Sequence, residues 1–207
     1  MTVIAIDGPA ASGKGTLARR LAAHYGLHHL DTGLLYRAVG LRAEEEGMDP
    51  VAVARAVTLA DLAAPALREE GAAQAASRVA VIPAVREALR GLQRRFAAEP
   101  PGAVLDGRDI GTIVFPDAAA KIFVDATPEA RARRRHRELI EQGVASIYSR
   151  VLQDMRERDA RDRGRVIAPL APAPDALVID SSTLDAESVF ALAVAHIGRV
   201  LPSLARG

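Results

Sequence analysis

The chain has 207 residues, of which 49% are hydrophobic and 26% are charged, and these values are typical of a single globular domain with a substantial core. Its 27 basic and 26 acidic residues give a net charge of +1, which argues against a nucleic-acid-binding protein or one attached to an acidic membrane. Cysteine is absent, which excludes disulfides and any site chemistry that needs a thiol.

Apolar runs that end at glycine, aspartate or proline alternate with helical patterns along the chain. In the first half they predict, in chain order, a strand at Val3–Ile6, a helix from Gly15 to Gly26, a strand ending at Asp31, a helix from Gly33 to about residue 46, and alanine-rich helices over 51–99 with breaks at Pro65, Gly71 and Pro83. In the second half they predict strands at 102–107 and 121–126, charged helices at 129–142 and 146–163, a strand at 175–182 and a helix at 185–201. Because strands alternate with helices, we expect an α/β fold with a five-stranded parallel sheet covered by helices on both faces.

Aspartate ends four of the predicted strands, at Asp7, Asp31, Asp106 and Asp180. In an open parallel sheet, ligands bind at the carboxyl ends of the strands. Each of these aspartates could orient site residues or cap the helix that follows, and for Asp180 we expect the capping role.

A glycine-rich stretch, "GPAASGKG", joins the first strand to the first helix. In that context the pattern Gly8-x4-Gly13-Lys14 is typical of a phosphate-binding loop, in which backbone N–H groups and the helix N-terminus surround phosphate oxygens. Of 27 basic residues only Lys14 and Lys121 are lysines, so Lys14 is selected for its compact ammonium. The alternative is a glycine-rich turn with an exposed lysine.

The residue after Lys14 is Gly15, where such loops usually have a hydroxyl, and Thr16 follows it. "GKGT" is similar to the variant used by nucleoside monophosphate kinases. We therefore expect Thr16 to be the candidate side chain for Mg²⁺, with phosphate oxygens and water holding most of the ion.

Arginines are concentrated where a phosphoryl-transfer enzyme would need positive charge. Residues 129–165 contain eleven arginines against seven aspartates and glutamates, a local charge of +4. Arg158, Asp162 and Arg165 are spaced to share one helix face. The alternatives are a solvated helix or an RNA-binding patch at 131–137, and surface ion pairs at 158–165.

The motifs together resemble one family, bacterial cytidylate kinase, over almost the whole chain. The resemblance rests on "IDGPAASGKGT", "LDTGLLYR", "ASRVA…PAVREAL", "DGRDIGTIVFPDA", "KIFVDA", "RDARDRGR" and "APLAPAPDALVIDSS". It implies a three-layer P-loop fold with a helical arm that binds the nucleoside monophosphate (NMP) and a helical lid.

The resemblance also implies roles for individual residues. Those that bind the phosphates of ATP are Gly8, Pro9, Ala10, Ala11, Ser12, Gly13, Lys14, Gly15 and Thr16. Those that bind CMP are Ser77, Arg86 and Asp109 at the cytosine, Thr32, Tyr36, Arg37, Arg108 and Arg165 at the phosphate, and Arg158 and Asp162 at the sugar. Those expected to be catalytic, by neutralising the transferring phosphates, are Lys14, Arg37, Arg108 and Arg165 together with the lid arginines Arg131 and Arg134.

Asp109 is the residue expected to distinguish cytosine from uracil. An ionised carboxylate can accept a hydrogen bond from the N4 amino group of cytosine, whereas uracil has a carbonyl oxygen at that position. The alternative is that Asp109 only orients its neighbour Arg108.

One domain over residues 1–207 is expected, with an NMP-binding region at 33–100 and an arginine-rich lid at 128–165. The family commonly carries an insert of about forty residues in its CMP-binding region, but here Leu62 to Ser77 is too short for it, so we expect a small helical arm. Thr32 stands where serine is usual and keeps the hydroxyl.

The expected activity is transfer of a phosphoryl group from ATP, with Mg²⁺, to CMP or dCMP. The alternatives are a UMP or AMP kinase, a regulatory GTPase switch, and an arginine-rich RNA-binding protein. The switch would need an N-K-x-D motif, which the chain lacks, and RNA binding is disfavoured by an aromatic content of 3%. With no signal peptide and no long apolar segment, we expect a cytoplasmic monomer without a nucleic-acid or membrane partner.

Overall fold

A five-stranded parallel sheet forms the centre of the protein in the computed structural model, which describes residues 2–204. Its strands are β1 (Thr2–Asp7), β2 (His28–Asp31), β3 (Gly102–Gly107), β4 (Ala120–Asp125) and β5 (Leu177–Asp180). They lie in the order β2-β3-β1-β4-β5, and every neighbouring pair is parallel. The predicted strands and sheet are therefore confirmed, and the carboxyl ends of all five strands meet at one edge.

Helices connect the strands. They are α1 (Lys14–Tyr25), α2 (Thr32–Glu46), α3 (Pro50–Ala56), α4 (Glu70–Val79), α5 (Pro83–Ala98), α6 (Pro128–Glu141), α7 (Tyr148–Arg163) and α8 (Ala186–Val200). Short 3-10 turns lie at Ala60–Ala63 and Pro65–Arg68, and a π-helical turn that the sequence did not predict lies at Ile110–Val114. The break predicted at Gly71 is wrong, because Gly71 lies in the first turn of α4.

Two hydrophobic cores lie on opposite faces of the sheet. Along β1, Val3 and Ala5 face the core shared with α2, α3 and α5, whereas Ile4 and Ile6 face the core shared with α1 and α8. This alternation follows from the twofold period of a strand, and it makes the fold a three-layer α/β structure. In the described residues, no helix is long and apolar enough to cross a membrane.

The strand-end aspartates have different roles. Asp31 caps α2 by accepting a hydrogen bond from the backbone N–H of Gly33. The capping role predicted for Asp180 is wrong, because its carboxylate accepts from the N–H and the hydroxyl of Ser182 within the loop. The loop after β5 continues to Asp185, which caps α8 instead.

Helices and short 3-10 turns make up most of the segment between β2 and β3, and none of its described residues lies in a strand. Its helices α2 and α4 approach closely at Gly40, where a Cβ would lie too near the backbone of Ala75. This close contact brings Ser77, on α4, beside the start of α2 at the carboxyl edge of the sheet.

Candidate active site

The loop between β1 and α1 depends on glycine at two positions. Gly8 has a φ of 151°, and a Cβ there would overlap the carbonyl oxygen of Val124 on β4. Gly13, with a φ of 92°, directly precedes α1, whose N-terminus has no side-chain cap among the described residues. Free N–H groups at a helix N-terminus bind anions, so this loop has the geometry of a phosphate site.

Lys14 begins α1, and its Nζ lies 3.9 Å from Oδ2 of Asp106 on β3. Burial and, to a smaller extent, the positive charge of Arg108 lower the pKa of Lys14 to about 8, although the negative charge of Asp106 opposes the shift. The ammonium therefore lies in a place where the protein alone does not fully stabilise its charge. Nucleotide phosphates bound to the adjacent loop would supply the missing negative charge.

Asp106 is one of the strand-end aspartates predicted to orient site residues or cap a helix, and it contacts two side chains at the site. Its carboxylate is buried and lies 2.9 Å from Nε2 of His29, in addition to its contact with Lys14. A Cβ on Gly15 would lie 3.6 Å from Oδ2 of Asp106, which is an ordinary contact distance, so the carboxylate lies directly beside the phosphate loop. The expected metal candidate, Thr16, is exposed one residue further along α1.

A pocket at the carboxyl edge of the sheet brings together nine of the ten residues expected to bind CMP. They are Thr32, Tyr36, Ser77, Arg86, Arg108, Asp109, Arg158, Asp162 and Arg165. These residues come from five parts of the chain, namely α2, α4, α5, the segment after β3, and α7 with the residue two positions beyond it. Small residues complete the wall, among them Gly33, Ala76 and Ala80.

Asp162 lies between two arginines on one side of this pocket. It accepts from Nε of Arg108 at 3.1 Å and also pairs with Arg165. Burial disfavours its charge, but Arg108, Arg165 and Arg158 outweigh burial and lower the pKa of Asp162. This cluster is buried, so it is not the series of surface ion pairs considered as an alternative for 158–165.

Asp109 lies on the other side of the pocket, where it pairs with Arg86. Arg86 also donates to the carbonyl oxygen of Ala80 at 3.0 Å, and its guanidinium carbon lies 5.6 Å from the ring centroid of Tyr36. Burial raises the pKa of Tyr36 to about 12, which keeps its hydroxyl protonated as a donor. Because Arg108 pairs with Asp162, the alternative that Asp109 only orients Arg108 has no support in these contacts.

Arg37, the tenth expected CMP residue, lies outside the pocket. It lines a neighbouring cleft of about 1340 Å³ between the α6–α7 segment and the helices of 33–100. Its Nη1 donates to the carbonyl oxygen of Leu67 in the second 3-10 turn at 2.8 Å. Ser77 and Arg158 line both spaces, so the pocket and the cleft are continuous.

Arg131 and Arg134, the expected lid arginines, contact the backbone of the phosphate loop. Arg131 is fully buried, pairs with Asp159 of α7, and donates to the carbonyl oxygen of Ala10 at 3.3 Å. Arg134 donates to the hydroxyl of Ser181 at 3.1 Å, and that hydroxyl donates to the carbonyl oxygen of Ser12 at 2.9 Å. In this conformation these arginines hold backbone carbonyl groups of the loop, and α6 is not a solvated helix at these positions.

The sheet order, the phosphate loop and the adjoining pocket define the chain as a P-loop kinase. Solved structures of the same fold include a gluconokinase from Sinorhizobium meliloti 1021, with a TM-score of 0.51, 17% identity and coverage of 99% of this chain and 95% of that one. A shikimate kinase from Bacteroides thetaiotaomicron has a TM-score of 0.51 at 13% identity and covers 97% of this chain and 98% of its own.

Sequence comparisons identify the family. The protein-family model described as "Cytidylate kinase" matches residues 4–65 and 56–199 of this chain. A cytidylate kinase from Paramagnetospirillum magneticum is 60% identical over 206 residues, covering 95% of this chain and 98% of the relative, and one from Xanthobacter autotrophicus is 58% identical over 200 residues, covering 94% and 96%. The chain belongs to the cytidylate kinase family.

Proposed function

We propose that the chain transfers the γ-phosphoryl group of ATP to CMP and dCMP and releases ADP with CDP or dCDP. The observation that carries this proposal is the pocket described above, in which residues from five parts of the chain converge next to the phosphate loop. The names of its close relatives support the same activity.

On the donor side, the N–H groups of residues 8–16 bind the phosphates of ATP, and Lys14 neutralises the charge that develops during transfer. The oxygen donors near the loop, Thr16 and the carboxylate of Asp106, fit Mg²⁺, which prefers oxygen ligands and keeps water and phosphate around it. When bound, the ion would supply further positive charge at the phosphates. His29 holds the carboxylate of Asp106 in place.

On the acceptor side, Asp109, Ser77 and Arg86 face the cytosine. The phosphate of CMP is bound by arginines and hydroxyls, and its sugar by Arg158 and Asp162. The phosphate ligands are Thr32, Tyr36, Arg108 and Arg165 in the pocket, together with Arg37, which would leave the carbonyl oxygen of Leu67 to reach the phosphate. An oxygen of this phosphate attacks the γ-phosphorus as the bond to the β-phosphate oxygen breaks, and because the attacking oxygen is already anionic, no strong base is needed.

Residues 128–165 act as a lid and 33–100 as the NMP-binding arm, both within one domain. The wide cleft between them is consistent with an open state that narrows when the nucleotides bind. Arg131 and Arg134 then act on the transferring phosphates, directly or through the loop carbonyls that they contact here. We further propose that the enzyme works as a monomer in the cytoplasm.

A coupled ADP-release assay with CMP, dCMP, UMP and AMP as acceptors tests this proposal. We expect the highest kcat/KM with CMP and dCMP, and activity that depends on Mg²⁺. Preference for UMP or AMP would indicate another nucleoside monophosphate kinase. ATP hydrolysis at a rate that none of the four acceptors changes would contradict the proposal altogether.

A further inference from the structure

Asp7 is a buried carboxylate for which the mechanism above has no use. It ends β1, is 4% exposed, and directly precedes Gly8 of the phosphate loop. Its two oxygens accept hydrogen bonds from the backbone N–H groups of Ile110 and Gly111, each at 2.8 Å. Those two residues directly follow Arg108 and Asp109 in the acceptor pocket.

These hydrogen bonds fix the backbone that follows Asp109, and the π-helical turn at Ile110–Val114 fixes the same stretch a second time. The carbonyl oxygen of Asp109 accepts from the N–H groups of Ile113 at 2.9 Å and Val114 at 3.2 Å. With its carbonyl held by the turn and the next two N–H groups held by Asp7, the Asp109 side chain is directed toward Arg86. Space is also restricted, since a Cβ on Gly111 would lie 3.4 Å from Oδ2 of Asp7.

We propose that Asp7 is a positioning residue that sets the direction of Asp109 and couples the phosphate loop to the acceptor pocket. The inference rests on the proposed function, in which Asp109 faces the base of CMP. A shift of Gly8 when ATP phosphates bind would be transmitted through one residue, Asp7, to the backbone that carries Arg108 and Asp109. A 1 Å change in the position of such groups is enough to alter catalysis strongly.

The charge of Asp7 depends on its surroundings. Burial raises the pKa of Asp7 to about 7, although the hydrogen bonds from Gly111 and Ile110 oppose the rise. The negative charge of Asp109 adds to the rise, and the positive charge of Arg108 opposes it. The stem of Lys121 on β4 packs against the same glycine. Both oxygens of the ionised carboxylate can accept a hydrogen bond, which is the state that two N–H donors require.

Asp7→Asn tests the proposal. Asp180→Asn is the matched control, an exposed aspartate at the end of another strand whose hydrogen-bond partner, Ser182, lies within its own loop. Asparagine offers one acceptor oxygen, and its amino group would face the second N–H donor. We expect the KM for CMP to rise about tenfold or more in Asp7→Asn and the CMP-to-UMP ratio of kcat/KM to fall, with the KM for ATP nearly unchanged. Asp180→Asn should resemble the unmodified enzyme.

A lower kcat in Asp7→Asn with an unchanged KM for CMP and an unchanged CMP-to-UMP ratio would overturn the inference. Failure of the unmodified protein to phosphorylate CMP would instead contradict the proposed function.

If Asp7→Asn does not fold, amide hydrogen exchange on the unmodified protein tests whether the phosphate loop is coupled to the acceptor pocket. Under the proposed function ADP places its phosphates at the phosphate loop and leaves the acceptor pocket empty, so adding ADP alone should change the protection of the Ile110 and Gly111 amides. Unchanged protection of both amides would overturn the coupling, and this measurement does not depend on the identity of the acceptor.

Discussion

At the scale of single residues, Lys14 illustrates a side chain that the fold tolerates for the sake of function. Its lowered pKa means that burial in the folded protein disfavours the ammonium, so removing it costs little stability. We expect Lys14→Ala to keep its Tm and to lose turnover by about a hundredfold or more, since the group acts where charge develops. Lys14→Arg should also have a low turnover, because a guanidinium is too large for the closed loop. Steady-state kinetics with thermal unfolding provide the check, and near-normal turnover would contradict the assignment.

The same pKa predicts a pH dependence. With a pKa of about 8 in the folded protein against 10.5 for an ordinary lysine, the unfolded chain holds more protons between these values, so this group makes stability rise as pH rises from 8 to 10.5. ATP phosphates favour the ammonium, so at pH 9 ATP binding should be accompanied by proton uptake. Titration calorimetry in buffers of different ionisation enthalpy measures this uptake. Lys14→Ala should lose it, and equal uptake in both proteins would assign the proton to another group.

At the scale of elements, the arginine-rich segment 128–165 is the part expected to move. In the described residues, its two helices are joined by the pair Arg131–Asp159 and line one side of the open cleft. With ATP and CMP analogues both bound, trypsin cleavage within this segment should slow strongly, because the lid closes and its arginines contact the nucleotide phosphates. Cleavage after the exposed Arg199 on α8 is the internal control and should not change. Equal cleavage of the segment with and without nucleotides would argue against a lid.

The elements also separate what local sequence can predict from what it cannot. Short, nearly continuous apolar runs between helical patterns predicted all five strands, and Gly26, with a φ of 64°, ends α1 as its sequence position indicated. The π-helical turn could not be predicted, because it depends on hydrogen bonds from Ile110 and Gly111 to Asp7, about a hundred residues away. The role of Asp180 was misassigned for a local reason, since the length of the loop before α8 decides which aspartate caps it.

At the scale of the whole molecule, the site is a product of topology. Parallel strands place α1, α2, the segment after β3 and α7 at one edge, which explains how motifs spread over residues 32–165 line one pocket. The motifs predicted which residues belong to it. The motifs could not predict the ion pairs within the site, such as Asp109 with Arg86 or Arg131 with Asp159. Each pair joins residues from different elements, and a local sequence pattern does not contain the distance between elements.

Recognition of cytosine through Asp109 is best tested by the CMP-to-UMP ratio of kcat/KM, measured in the unmodified enzyme and in Asp109→Asn. Losing a charge-assisted contact to the N4 amino group costs about 1–3 kcal/mol, or roughly ten- to a hundredfold. We predict that the unmodified enzyme strongly prefers CMP, and that in Asp109→Asn activity with CMP falls while activity with UMP falls less or rises. A loss of activity by the same factor with both substrates would contradict it.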